Sequence, residues 1–154
     1  YLMIYIYKYP RPMVTVDCIV IKQKLYNYYI LLIKRKKNPF KNKWALPGGF
    51  ININEDLENA AIRELAEETN LHVDSMEQLF TVGTPGRDPR GRTISVIYYT
   101  MINNNNNNNI EPIANDDAKD AKWFLISEIP SNLAFDHNFV ITEMINRKLK
   151  SSIK

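Results

Sequence analysis

At 154 residues, with 45% hydrophobic and 24% charged side chains, the chain is about one domain of ordinary globular composition. Those proportions exclude a disordered or collagen-like protein, and a lone cysteine, Cys18, excludes a disulfide scaffold. A net charge of +3 without a basic patch gives no ground for nucleic-acid or membrane binding, and no apolar run approaches the roughly 18 residues of a membrane span. Tyr1–Tyr7 (YLMIYIY) is apolar but short, with no basic leader and no small-residue cleavage site, so it makes a poor signal peptide. The expectation is one domain over residues 1–154 in a reducing, cytoplasmic setting.

Met13–Ile21 (MVTVDCIVI) and Tyr28–Ile33 (YYILLI) are β-branched, aromatic and aliphatic, which predicts two strands joined by a polar hairpin loop, Lys22–Asn27. Asn38–Phe50 is broken by Pro39, Pro47, Gly48 and Gly49 and reads as irregular. Asp56 to Thr69 has no Gly or Pro and is rich in Leu, Ala, Glu and Arg. It predicts a helix with Asp56 as N-cap and Asn70 as a left-handed C-cap. After the turn-rich Gly83–Arg92, Thr93–Ile102 predicts a third strand, and Lys122–Ile126 another. Seven asparagines, Asn103–Asn109, are too polar for a core and read as a low-complexity loop. Val140, Met144, Ile141, Ile145 and Leu149 keep four-residue spacing, which predicts a closing amphipathic helix. The mix of strands and helices points to an α+β or α/β sandwich.

The helix over 56–69 carries the chemistry. At about 100° per residue, Glu64, Glu67 and Glu68 share an arc with Leu57 and Ala60, so the acids border the core-facing side. Like charges three and four residues apart disfavour a helix by a few tenths of a kcal/mol per pair. A cation between them would remove that penalty, and oxygen-only ligands suit Mg²⁺ or Mn²⁺ better than zinc. A solvated acidic stripe with Arg63 paired to Glu67 is the plain alternative. The surrounding spacing decides between them. Gly49 is followed by five residues and Glu55, then seven residues and Arg63-Glu64-Leu65, then Ala66, Glu67-Glu68, Thr69, Asn70 and Leu71.

This spacing resembles the Nudix box, G-x5-E-x7-R-E-U-x-E-E-x-G-U, at every fixed position except one, where Asn70 replaces glycine. The resemblance implies an α/β/α sandwich with a mixed β-sheet, in which a loop–helix–loop motif binds divalent metal and a diphosphate. It further implies hydrolysis of a nucleoside diphosphate linked to another group. Glu64, Glu67, Glu68 and the Gly49 carbonyl are then the expected metal ligands. Arg63 would orient the glutamates, and Glu55 would tie the loop to the helix.

Outside the box, Trp44–Phe50 (WALPGGF), Arg35, the turn Arg87–Arg92 (RDPRGR) and Leu133–His137 look like those of ADP-ribose pyrophosphatases and related NAD-metabolism regulators. That likeness makes Arg35, Gly48, Gly49, Phe50, Arg87 and Arg92 the expected substrate contacts. The expected reaction is Mg²⁺-dependent conversion of ADP-ribose to AMP and ribose 5-phosphate. Oxidised nucleoside triphosphates or dinucleotides are the alternative substrates, and a non-catalytic ADP-ribose sensor is the rival from another class. Asp116, Asp117 and Asp120 read as a solvated acidic loop, His137 as a structural hydrogen-bonding residue, Trp44 and Trp123 as core, and Cys18 as packing. A homodimer exchanging Tyr1–Tyr7 as an edge strand is a candidate assembly.

Overall fold

The computed structural model describes residues 4–103 and 111–150. Most of the asparagine tract and the start of Tyr1–Tyr7 therefore lie outside the described residues. Strands β1 (Met13–Lys24), β2 (Asn27–Arg35), β3 (Trp44–Ala45), β4 (Gly48–Phe50), β5 (Glu77–Val82), β6 (Thr93–Asn103) and β7 (Ala118–Leu125) form one mixed sheet. Helices α1 (Leu57–Thr69) and α2 (His137–Met144) cover its two faces, and α2 continues through a π-type turn to Leu149. Among the described residues, no helix is long and apolar enough to cross a membrane.

Side-chain alternation along the strands builds the sandwich. On β1 and β6 the odd-numbered Ile19, Ile21, Ile97 and Tyr99 pack with Val140, Ile141 and Met144 of α2. The even-numbered Val16, Cys18, Val20, Val96 and Tyr98 pack with Ala60, Ala61 and Leu65 of α1. A strand buried on both faces needs apolar residues at every position, which is why the β1 and β2 sequences read as continuous apolar runs.

The register opens a gap where the chemistry sits. One edge of β1 pairs in parallel with β6 from Met13 to Gln23. The other edge is shared: Ile21–Lys24 pair with β2, and Thr15–Asp17 pair with β4. On β2, Tyr29–Arg35 pair with β7, while Ile33 and Lys34 pair with β3. β1 and β2 thus separate beyond their hairpin, and Trp44–Phe50 crosses the opening from β2 to β1. The Cys18 N–H donates to the Pro47 carbonyl (2.8 Å) and fixes that crossing.

Several boundaries differ from the sequence expectation. The first hairpin turns on Leu25 and Tyr26 alone, with Lys24 opposite Asn27, so Lys22–Lys24 belong to β1. Lys22 is buried against the Trp123 ring, 4.5 Å from its centroid, with Glu111 3.6 Å away, which lets a lysine stand inside a strand. β5 was not expected because Glu77-Gln78 begin it with no apolar alternation; pairing with β6 makes it a strand. β7 starts four residues before the expected Lys122 and ends at Leu125, since its length is set by the ladder with β2, and Ile126–Glu128 form a 3₁₀ turn.

Helix α1 has the expected caps. The Asp56 carboxylate accepts from the Glu58 N–H (3.4 Å), and Asn70 sits at φ 55°, ψ 19° with its N–H on the Ala66 carbonyl. Glycine adopts that conformation more freely than asparagine, by a few tenths of a kcal/mol. Asn70→Gly is therefore expected to leave the melting temperature within about 2 °C of wild type and turnover unchanged. A large loss of turnover in a melting-matched kinetic comparison would give the Asn70 side chain a role beyond the cap.

Candidate active site

Arg63 organises the acidic side. Its Nε and Nη2 donate to the two oxygens of Glu55 (2.7 and 2.9 Å), Nη1 to Glu64 (2.7 Å) and Glu67 (3.0 Å), and Nη2 also to the Phe50 carbonyl (3.1 Å). All five donors of the guanidinium are used, a fit only arginine makes. Hydrogen bonds from Arg63 hold the Glu55 carboxyl down to about 2, despite some burial. Glu55 also accepts from the Asn52 backbone and side chain, so it joins the loop after β4 to α1.

Glu64 and Glu68 face inward. Burial raises the Glu64 carboxyl above its ordinary value against the opposing pull of Arg63. Its carboxylate rests on Gly49, where a Cβ would stand 2.5 Å from an oxygen. Glu68 is only 5% exposed, and its Oε2 accepts from the Gly48 N–H (3.0 Å). Burial, with the nearby charges of Glu64 and Asp117, pushes its carboxyl up to about 8, although the Gly48 bond and Arg35 act the other way. Glu67 is exposed.

Two cavities meet at Gly48 and Gly49. The larger, about 270 Å³, is lined by Glu64, Glu67, Glu68, Asp116, Asp117 and Arg63, together with Phe50. The smaller, about 40 Å³, lies on the α2 side of the sheet among Thr15, Asp17, Arg87, Asp88, Phe135 and His137. Gly48, Gly49, Arg35 and Arg90 line both.

Beneath the smaller cavity runs a buried polar network. The Leu46 N–H donates to His137 Nδ1 (2.9 Å), and the ring's Nε2 lies 3.5 Å from Asp17 Oδ1. Ser95 Oγ donates to the other Asp17 oxygen, and Arg87 lies 3.9 Å away. Burial alone would raise Asp17, but His137, Ser95 and Arg87 together hold it below the ordinary carboxylate range. His137 thus has the partners that its sequence neighbourhood did not reveal, and the network pins Leu46, two residues before Gly48.

The structure gathers Arg35, Gly48, Gly49, Phe50, Arg63, Glu64, Glu67 and Glu68 around the larger cavity, and Arg87 reaches only the smaller one. Arg92 lines neither; it is exposed and donates to the Gly83 carbonyl of its own loop. Asp116 and Asp117 line the larger cavity, with Asp117 paired to Lys37 (2.6 Å), whereas Asp120 lies on β7 outside it. Arg90 and Asp88 are site residues that sequence reading missed. Cys18 is buried, its Sγ 3.2 Å from the Ala61 carbonyl, and burial pushes its thiol well above the ordinary value, as expected of packing. Trp44 is half-buried, edge-on to Phe124.

The donor set fits a hard divalent cation. Glu64, Glu67, Glu68 and the Gly49 carbonyl offer only oxygen, and the buried Glu68 carboxyl carries an electrostatic penalty that a cation would relieve. Among the described residues, no three carboxylates or imidazoles already converge as a closed metal cage; Arg63 and the Gly48 N–H hold the glutamates instead.

The chain is similar to known proteins in sequence and fold. The chain is 41% identical over 140 residues to an ADP-ribose pyrophosphatase of Methanocaldococcus jannaschii, covering 91% of this chain and 77% of that protein. It is 33% identical over 142 residues to the ADPR responsive transcriptional repressor NtrR of Acinetobacter baylyi, covering 90% of this chain but only 55% of the repressor. The crystal structure of a bifunctional NMN adenylyltransferase/ADP ribose pyrophosphatase from Francisella tularensis, complexed with AMP and Mn ion, superposes with a TM-score of 0.76 at 34% identity. It covers 92% of this chain and 43% of that one. The NUDIX domain profile matches residues 11–145, so with an intact glutamate set the chain belongs to the Nudix family, as a pyrophosphohydrolase.

Proposed function

We propose that this chain hydrolyses ADP-ribose to AMP and ribose 5-phosphate. The observation that carries the reading is the meeting of an acid-lined and an arginine-lined cavity at Gly48–Gly49. A diphosphate ester has two neighbouring anionic groups and needs cationic partners on both sides. Glu64, Glu67, Glu68 and the Gly49 carbonyl would hold Mg²⁺ or Mn²⁺, which when bound neutralises phosphate charge and acidifies water. Arg63 keeps Glu64 and Glu67 aligned through charge-assisted hydrogen bonds. Gly48 orients Glu68, and Glu55 holds the loop in place. In the reaction a water oxygen bonds to phosphorus, the P–O–P bridge breaks, and the water's protons end on the two phosphate products or solvent. The 41% identity to an ADP-ribose pyrophosphatase supports this substrate over the other nucleotides.

The likeness to the ADPR responsive repressor favours a second reading, ADP-ribose binding without turnover. One experiment separates the two: product release from ADP-ribose, NADH, diadenosine polyphosphates and 8-oxo-dGTP, each with and without Mg²⁺. AMP formation from ADP-ribose, metal-dependent and well above the others, is the expected result. Binding of ADP-ribose with no product would favour the regulatory reading. Preference for another nucleotide would overturn the substrate assignment.

A further inference from the structure

The arginines near the two cavities differ in exposure and in which cavities they line. Arg87 is largely enclosed: its side chain is 5% exposed, its Nε and Nη2 make a two-pronged contact with Asp136 (2.9 and 2.6 Å) just before α2, and it lines only the smaller cavity. Asp17 lies close by as a second counter-charge. Arg90 is held differently. Its Nε and Nη2 donate to the buried Asp88 (3.0 and 2.7 Å), its own backbone N–H donates to the same carboxylate (2.9 Å), and the side chain remains 34% exposed. Its guanidinium carbon stands 4.8 Å from the Phe50 ring centroid and 5.2 Å from that of Phe135. Its Nη1, like that of Arg87, has no protein partner among the described residues, but Arg90 lines both cavities where Arg87 lines one.

Arg35 approaches the same Phe135 ring (5.0 Å) and spends its Nε on the Pro39 carbonyl (2.8 Å), with no carboxylate within ion-pair distance among the described residues. Two guanidinium groups therefore border both cavities with only Asp88 directly paired to them. Burial, and after it the neighbouring Arg90 charge, lowers the Arg35 value. An anion between them would relieve that repulsion.

We infer that Arg90, with Arg35 beside it, is the pair that grips the diphosphate, while Arg87 is a strut between the Arg87–Arg92 turn and α2. Asp88 and the two phenylalanine rings fix the Arg90 guanidinium before substrate arrives, so little ordering entropy is lost on binding. The inference rests on the nucleoside diphosphate reading of the site and names the residues that carry its anion recognition.

The test is calorimetric titration with the non-hydrolysable α,β-methylene analogue of ADP-ribose in Mg²⁺, beside adenosine as a phosphate-free control. Arg90→Ala is expected to weaken analogue binding by about tenfold or more, the usual loss for a hydrogen bond to a charged group. Its adenosine binding should stay at the wild-type value, while its melting temperature falls because the buried Asp88 carboxylate loses its guanidinium partner. Arg90→Lys, which keeps the charge but loses the fork, is expected to recover only part of the affinity. Arg87→Lys should lower the melting temperature and move analogue affinity less than threefold. Wild-type affinity in Arg90→Ala, or a selective affinity loss in Arg87→Lys at unchanged melting temperature, would overturn the assignment. A wild-type protein that binds no analogue would instead overturn the functional reading beneath it.

Discussion

Glu68→Gln is expected to lower turnover on the order of a thousandfold while making the metal-free protein more stable at neutral pH. The first effect follows from removing the most buried oxygen donor of the acidic cavity: a loss of ~4 kcal/mol of transition-state stabilisation is about 10³ in rate. The second follows from burial. In the unfolded chain the Glu68 carboxyl titrates near its ordinary 4.5, whereas in the folded protein it is pushed up to about 8. Below pH 4.5 both states are protonated and the residue is neutral to stability. Between 4.5 and 8 the unfolded chain releases the proton and the folded one keeps it, so stability falls as pH rises, by an amount on the order of a few kcal/mol across the window. Above 8 the dependence levels off. Glutamine keeps an oxygen for the Gly48 N–H and cannot ionise, so that slope should vanish from urea unfolding midpoints measured between pH 4.5 and 8.5 in EDTA. In wild type, saturating Mg²⁺ should reverse part of the loss at the alkaline end. Retained turnover in Glu68→Gln would remove Glu68 from the metal set, and an unchanged pH slope would remove the buried charge as its cause.

The acidic half of the site was readable from the chain because its information is local. Glu64, Glu67 and Glu68 take their common direction from helical periodicity, and Arg63 and Glu55 are eight residues apart across one turn and a half-loop. The arginine half was not readable in the same way. Arg87, Arg90 and Arg92 stand within six residues of one another, and nothing in that stretch distinguishes them. What separates them is Asp136, 49 positions away on the approach to α2, against Asp88, two positions away in the same turn. The pattern R-D-P-R could have hinted that Asp88 would pin one neighbouring arginine, but not which arginine would face the cavity. His137 escaped for the same reason: its partners are Leu46 and Asp17, on segments far away in sequence. The strands β3 and β4 are two and three residues long, and only the separation of β1 from β2 turns a Pro- and Gly-broken stretch into the bridge carrying Gly48 and Gly49.

That bridge supplies the second large effect, a contrast between two adjacent glycines. Gly48 has φ +156°, and a Cβ there would press into the Val16 carbonyl oxygen and lie 2.9 Å from the Asp17 Cα. Both are backbone atoms of β1, which is held along its whole length by β6 and cannot withdraw. Overpacking and backbone strain together put the loss for Gly48→Ala at about 3–5 kcal/mol, or roughly 10 °C in melting temperature for a domain of this size. Turnover should fall with it, since the Gly48 N–H would move off Glu68. At Gly49 the obstacle is different. The three atoms nearest an added Cβ all belong to the carboxylate of Glu64, the far end of a flexible side chain that can swing aside. Gly49→Ala should therefore melt within about 3 °C of wild type, yet lose on the order of tenfold to a hundredfold in kcat because Glu64 is displaced from Arg63 and from the cavity. Thermal melts and steady-state kinetics on the two variants, run side by side, read both effects. A Gly48→Ala protein with wild-type melting would mean that β4 can leave β1 without cost. Full activity in Gly49→Ala would mean that the Glu64 carboxylate need not lie where Arg63 holds it, and the alignment assigned to Arg63 would fall with it.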